Sequence, residues 1–205
     1  TTLFRSWAVT LVLIAAGLGL LWFIDRQAFV VGVVLVAMIA IYDAWHKGNP
    51  IGPVIMGLAR VLVYVVAFFA FASEATGELW LWGAVMLAYV SGLTYIAKTE
   101  SLPGVGRYWP LATVIAPAVV AVIMEPVDVL VWSLAVAHVL WVAHSASFAY
   151  RSTNRQVGGA IARLIAGISM LDALVLATHE AWWGVLIAMS CLAVTMFLQR
   201  YIKGT

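Results

Sequence analysis

The sequence predicts an all-α fold, a polytopic transmembrane helical bundle of about eight spanning helices forming a single domain over residues 1–205, and three observations carry that expectation. Apolar residues make up 65% of the chain and charged residues 10%, against about 25% charged in a soluble domain. A soluble core of this size could not hide so much apolar surface, so the outer face must meet lipid. Polar, Gly or Pro interruptions divide the chain into stretches of near membrane length, at about 7–24, 28–45, 52–73, 79–97, 108–124, 129–150, 157–177 and 182–201, where a span needs roughly 20 residues. Finally, Lys and Arg alternate between the loops of the two sides, as expected of spans that cross and recross.

The first stretch, with Arg5 ahead of the apolar run Trp7 to Ile24, has the outline of a signal peptide. Its length and the next apolar run at Ala28 argue instead for a retained anchor. Runs such as Val30–Val36 and Val119–Ile123 are rich in β-branched residues, which in water would suggest strands. In lipid an open strand leaves its peptide groups unpaired, and a barrel needs segments of alternating polarity, so helices are the consistent choice.

Arg5, Lys47, Lys98, Arg107, Arg151, Arg155, Arg200 and Lys203 fall on one side. The other loops hold Arg26 and the acids Asp25, Glu74, Glu78, Glu125, Asp128 and Glu180. The basic side is expected in the cytoplasm, with both termini there. Short outer connections pair consecutive spans as hairpins. The longer basic-side loops, His46 to Pro50 and Lys98 to Arg107, carry the turn residues and most of the reactive groups.

Net charge is +2 and no Lys/Arg-rich run exists, which argues against nucleic acid. One cysteine, Cys191, excludes an intramolecular disulfide and reads as a small core residue. Trp7, Trp80, Trp82, Trp109, Trp182 and Trp183 fall near expected interfaces, as in an aromatic belt.

Ionisable groups inside spans cost about 2.5–3.5 kcal/mol each, so each needs a partner or a wet cavity and marks a candidate site. Asp43 and Lys47 are four apart and share a helix face at the end of the second span. Arg60 lies about two turns into the third span and needs an anion, either Asp43 or a ligand phosphate. Ser91, Thr94, Tyr95 and Lys98 form one polar stripe on the fourth span, facing a wet cavity or another helix, with Glu100 at its foot. Arg163, flanked by Gly159 and Gly167 at four-residue spacing, points into the bundle on a face that a neighbouring backbone can approach. Asp172 lies nearer the outer end of the same span. His138 and His144 are six apart, share no face and cannot chelate one metal as an i, i+4 pair; a haem or chlorin would need a second histidine helix.

The stretches Tyr42-Asp43-Ala44-Trp45-His46-Lys47 and Gly52-Pro53-Val54-Ile55-Met56-Gly57-Leu58-Ala59-Arg60, and the later Gly92-Leu93-Thr94-Tyr95-Ile96-Ala97-Lys98-Thr99-Glu100, resemble the UbiA superfamily of intramembrane prenyltransferases. They are most similar to the divergent UbiA-like proteins of the bacterial ebo cluster, as is the seventh span around Arg163 and Asp172. The resemblance implies a helical bundle around a lipid-open cavity, where Mg²⁺ and basic side chains hold a prenyl diphosphate that transfers its chain to an acceptor. On that reading Lys47, Arg60, Lys98 and Arg163 would bind diphosphate or another ligand, Ser91, Thr94 and Tyr95 would line the cavity, and Asp43 and Glu100 would hold metal.

The family's first Asp-rich motif, Asn-Asp-x-x-Asp-x-x-x-Asp, keeps only Asp43 here, with Tyr42, His46 and Pro50 at the other positions. The loop expected to hold the second motif, Tyr150 to Gln156, contains no carboxylate, and hard divalent cations need oxygen donors. No catalytic residue is assigned. The alternative implied by these losses is a non-catalytic UbiA-like protein that binds a lipid, quinone or pigment, or serves as an accessory subunit of a larger membrane complex. A small transporter relaying ions through Asp43, Arg60, Arg163 and Asp172 is a third reading, without a visible inverted repeat to support it.

Overall fold

The computed structural model describes residues 2–45, 49–98, 107–151 and 156–201, with side chains from Trp7 onward. Of the described residues 84% are helical, and none of them forms a strand. Its helices are α1 (Thr2–Ile24), α2 (Arg26–Trp45), α3 (Gly52–Phe69), α4 (Gly77–Lys98), α5 (Trp109–Met124), α6 (Val129–Ala149), α7 (Val157–Ala166), α8 (Ile168–Ala177) and α9 (Trp182–Leu198). All eight expected segments are helical, and the seventh is divided at Gly167. Six segments are long and apolar enough to cross a membrane, namely Trp7–Ile24, Arg26–Trp45, Gly52–Phe69, Gly77–Lys98, Val129–Ala149 and Val157–Ala177. Helices α5 and α9 have 16 and 17 residues, shorter than the hydrocarbon thickness at 1.5 Å per residue. The protein is an integral membrane protein built of helices.

Two compact units divide the chain within α4, one spanning Thr1–Leu87 and the other Ala88–Thr205. In the first unit α1 packs on α2 and α2 on α3. Asp25 alone separates α1 from α2, and its Oδ1 accepts the backbone N–H groups of Gln27 at 2.7 Å and Ala28 at 2.9 Å. That is an Asp N-cap, so this acid is explained by the start of α2. The outward face of α1 is apolar throughout: none of the Trp7–Ile24 stretch is buried, and Phe23 is 86% exposed. Lipid must cover it.

The α3 start follows its turn chemistry. Asn49 Oδ1 accepts the Ile51 N–H at 2.9 Å, and Pro53 sits at the first turn, where its missing N–H costs nothing. Trp82 is 2% exposed and its indole N–H has no hydrogen-bond partner, so it belongs to the interior rather than to an aromatic belt. Trp7, Trp80, Trp109, Trp182 and Trp183 are all exposed.

The second unit has its core where the latter half of α4 meets α5, α6, α7 and α8. Tyr89, Ile96, Val114, Val131, His138, Leu164, Leu171 and Leu174 are fully buried there. At the foot of α4, Gly92 faces α5 so closely that a Cβ would meet the Thr113 hydroxyl, the Pro110 carbonyl oxygen at 3.0 Å and Val114 Cγ2 at 3.1 Å. The helix α9 packs on α8 and turns Cys191 outward, where it is exposed. The expectation of a core cysteine fails because α9 buries only the face carrying Val185, Ala188 and Leu192.

The division at Gly167 has a local cause. In an unbroken helix the carbonyl of Leu164 would accept the N–H of Ile168. Instead it accepts the Tyr89 hydroxyl at 2.7 Å, while the Arg163 carbonyl also accepts the Trp141 indole N–H at 3.0 Å. A side chain inserted into the ladder, here Tyr89, is a recognised cause of a helix break, whereas the Arg163 carbonyl keeps its ladder bond from the Gly167 N–H at 2.9 Å beside the Trp141 bond. Gly167 makes room for both side chains. A Cβ there would lie 2.6 Å from the Tyr89 oxygen and 3.1 Å from Trp141 Nε1.

Candidate functional site

The first unit contains a pocket of about 300 Å³ between α2 and α3. From α2 it is lined by Leu35, Ile39, Tyr42 and Asp43, and from α3 by Met56, Ala59, Arg60 and Val63. The spacing on both helices is three and four residues, so each contributes one face. The lining is graded. Leu35, Ile39, Met56 and Val63 make apolar walls, and Tyr42, Asp43 and Arg60 supply the polar groups.

Asp43 and Arg60 thus line one pocket. They are not an ion pair. Arg60 makes no hydrogen bond or ion pair to any described residue, although it stands two turns into α3. Its guanidinium carries five N–H donors and a charge that cannot be shed. Lys47 and Glu100 lie outside the described residues.

The polar stripe on α4 exists as a helix face, with Ser91, Thr94 and Tyr95 half-buried and Lys98 exposed in the last turn. Its groups are engaged locally. The Thr94 hydroxyl donates to the Val90 carbonyl at 2.7 Å, a back-bond within its own helix. Tyr95 packs on Trp109, ring centroids 5.2 Å apart, and the Lys98 ammonium stands 5.9 Å from the Tyr95 ring centroid. Tyr95 thereby packs this face against the start of α5.

Arg163 departs from expectation. It does not point into the bundle: its Nη1 donates to the Gly159 carbonyl one turn back at 3.0 Å, and its guanidinium lies over the Phe148 ring, 4.3 Å from the centroid. A helical side chain leans toward the N-terminus of its helix, which carries this one back to the beginning of α7. Of the two flanking glycines, only Gly167 is crowded, and by the side chains of Tyr89 and Trp141 rather than by a neighbouring backbone. A Cβ on Gly159 would meet only the Arg163 side chain, at 3.4 Å. Asp172 is half-buried on α8.

The two histidines of α6 have separate surroundings. His138 is fully buried, its Nε2 3.0 Å from the Val114 carbonyl and its ring 5.8 Å from that of Tyr89. The Val114 carbonyl lies beside the point where Pro117, lacking an N–H, interrupts the α5 ladder. His138 is thereby a tie between helices. His144 is exposed and packs edge-on against Phe148, one turn on. Neither geometry is that of an axial ligand facing an open site.

A magnesium-diphosphate site would require several carboxylates in reach of one ion. Among the described residues no three His, Cys, Asp or Glu side chains are grouped closely enough to hold a metal ion, and Asp43 is the only acid lining the α2–α3 pocket. The described donors do not fit a Mg²⁺ pair. Phe148, which sequence reasoning passed over, and Arg151, read there only as a loop cation, join the picture. Phe148 and Arg151 stand three apart at the end of α6, a spacing that signals a cation over an aromatic ring. The guanidinium of Arg151 is 4.6 Å from the Phe148 centroid.

Comparison of the chain with protein-family models, with characterised proteins and with solved structures gives no match in any of the three.

Proposed function

We propose that this membrane protein is a UbiA-like binding protein that holds an amphiphile in the α2–α3 pocket, its anionic head at Arg60 and its apolar tail along Leu35, Ile39, Met56 and Val63. The observation that carries the reading is Arg60. A permanently charged group two turns into an apolar helix, lining a pocket and without a described protein partner, calls for an anion delivered with the ligand. Small-molecule sites are mostly apolar with a few convergent polar groups, and this lining has that composition.

Asp43, in the same pocket, favours a ligand whose head also offers a donor or a bound cation, such as a prenyl diphosphate or a hydroxylated quinone. Prenyl transfer to an acceptor is the second reading, and the retained Asp43 beside Arg60 is what favours it. The depleted carboxylates favour binding without turnover, alone or as an accessory subunit in a larger membrane complex. The asymmetry of Lys and Arg between loops supports both termini in the cytoplasm, and the resemblance to bacterial UbiA-like proteins supports a bacterial inner membrane.

Gentle purification followed by mass spectrometry of retained small molecules tests the proposal. The wild type should carry a lipid-like anion, and Arg60→Ala should lose it, with Arg60→Lys retaining part. An unchanged ligand in Arg60→Ala removes Arg60 from the site. Magnesium-dependent release of diphosphate from an added prenyl diphosphate, abolished by Asp43→Asn, would establish the transferase reading instead.

A further inference from the structure

The second unit carries a cationic feature that the α2–α3 pocket does not use. Arg151, just past the end of α6, and Arg163, in α7, both place their guanidinium groups against the single ring of Phe148, at 4.6 and 4.3 Å from its centroid. Like charges sharing one ring repel each other, and the ring quadrupole offsets only part of that. An acid would ordinarily sit between them. Yet no Asp or Glu occurs in the sequence between Asp128 and Asp172, and neither guanidinium has an ion pair among the described residues.

Only one donor of Arg163 is spent within the protein, on the Gly159 carbonyl at 3.0 Å. Arg151 is exposed just past the end of α6, and Arg163, in the last turn of α7, carries its guanidinium back to the Gly159 carbonyl in the first turn of that helix. Further cations approach the same end. The Tyr150 hydroxyl donates to the Arg107 carbonyl at 2.8 Å and its ring stacks on Tyr108, 4.9 Å between centroids, which anchors the start of α5 there. Gln199 donates to the Ala162 carbonyl at 2.9 Å, bringing the end of α9, with Arg200, to α7.

We infer that Arg151 and Arg163, braced on Phe148, clamp the phosphate of an anionic phospholipid headgroup at the α6–α7 end of the second unit. Guanidinium forks match phosphate oxygens in geometry and charge. The lipid's acyl chains would run along the exposed apolar surface that α6 presents at Val136, Val139 and Leu140. A lipid headgroup, rather than a soluble phosphate, fits a pair of cations beside the exposed apolar face of α6.

The test is lipid retention by native mass spectrometry of the full chain from phosphatidylcholine nanodiscs containing phosphatidylglycerol. The wild type should retain phosphatidylglycerol preferentially, and Arg151→Gln with Arg163→Gln should lower that preference about tenfold or more. The Arg151→Lys, Arg163→Lys pair, which keeps both charges, should hold most of it and guards against a folding defect. Arg26→Gln, in the other unit, should leave it unchanged. Equal preference in the wild type and the doubly neutral variant overturns the inference. So does inorganic diphosphate binding in pure phosphatidylcholine with the same dependence on the two arginines, which would assign the clamp to a soluble anion.

Discussion

Gly167→Ala offers the sharpest test of how the second unit is held together. The backbone at Gly167 is right-handed helical, φ −60° and ψ −14°, so a Cβ meets no conformational obstacle. It meets atoms: the Tyr89 oxygen at 2.6 Å, the Leu164 carbonyl oxygen at 3.0 Å and Trp141 Nε1 at 3.1 Å. Those three atoms belong to the two interhelical hydrogen bonds, Tyr89 to Leu164 and Trp141 to Arg163. Overpacking costs about 1–3 kcal/mol, and each interhelical hydrogen bond displaced in a membrane protein adds about 0.6 kcal/mol. Against this, alanine gains about 0.5–1 kcal/mol over glycine in a helix. The expected net loss is about 2 kcal/mol. Unfolding in mixed micelles, followed by tryptophan fluorescence, measures it. Gly158→Ala is the control, since nothing lies within 4 Å of a Cβ there, and it should be neutral or slightly stabilising. Removing the obstructing oxygen with Tyr89→Phe should make the double variant less damaged than the two single losses added together, with a coupling of about 0.5–1 kcal/mol. A Gly167→Ala protein as stable as Gly158→Ala, or a strictly additive double variant, would refute the reasoning.

Two further predictions use the same measurement. Gly92→Ala should cost about 1–3 kcal/mol, because the Pro110 carbonyl oxygen at 3.0 Å is backbone and cannot rotate away, whereas Gly77→Ala, with open space around it, should not. Glu180→Gly should stabilise by about 0.5–1 kcal/mol. Glu180 holds φ 54°, and the bonds from Ala181 N to the Leu176 carbonyl at 2.9 Å and from Glu180 N to the Ala177 carbonyl at 3.1 Å form the Schellman pattern whose left-handed position favours glycine.

The helices were legible because lipid imposes a single requirement, continuous apolar length, that can be counted along a sequence. The start of α3 at Gly52 was legible in the Gly/Pro interruption before it, whereas α2 begins at Arg26, ahead of the expected 28, because Asp25 caps it. What could not be read was any feature decided by a residue far away in the chain. The break at Gly167 depends on a donor from Tyr89, and by sequence alone 157–177 is one uninterrupted span. Trp82 and Cys191 were misplaced for a related reason: in a bundle bathed by lipid, apolar residues occur on both the inward and outward faces, so composition does not say which face a given one occupies.

Charged residues were the better guides, though what they reported was depth and not direction. Arg60 and Arg163 each lie well inside a span by residue count, and the same cost of burial applies to both. Arg60 resolves it by opening onto a pocket with Asp43 nearby, and Arg163 by running back along its helix to Gly159 and Phe148. The difference comes from what stands one turn toward the N-terminus. Gly159 leaves the Arg163 side chain a bare carbonyl and an unobstructed path, whereas the corresponding position before Arg60 is Met56, itself part of the pocket wall. Arg60 consequently faces a pocket, whereas Arg163 is engaged on a carbonyl of its own helix and a ring of α6.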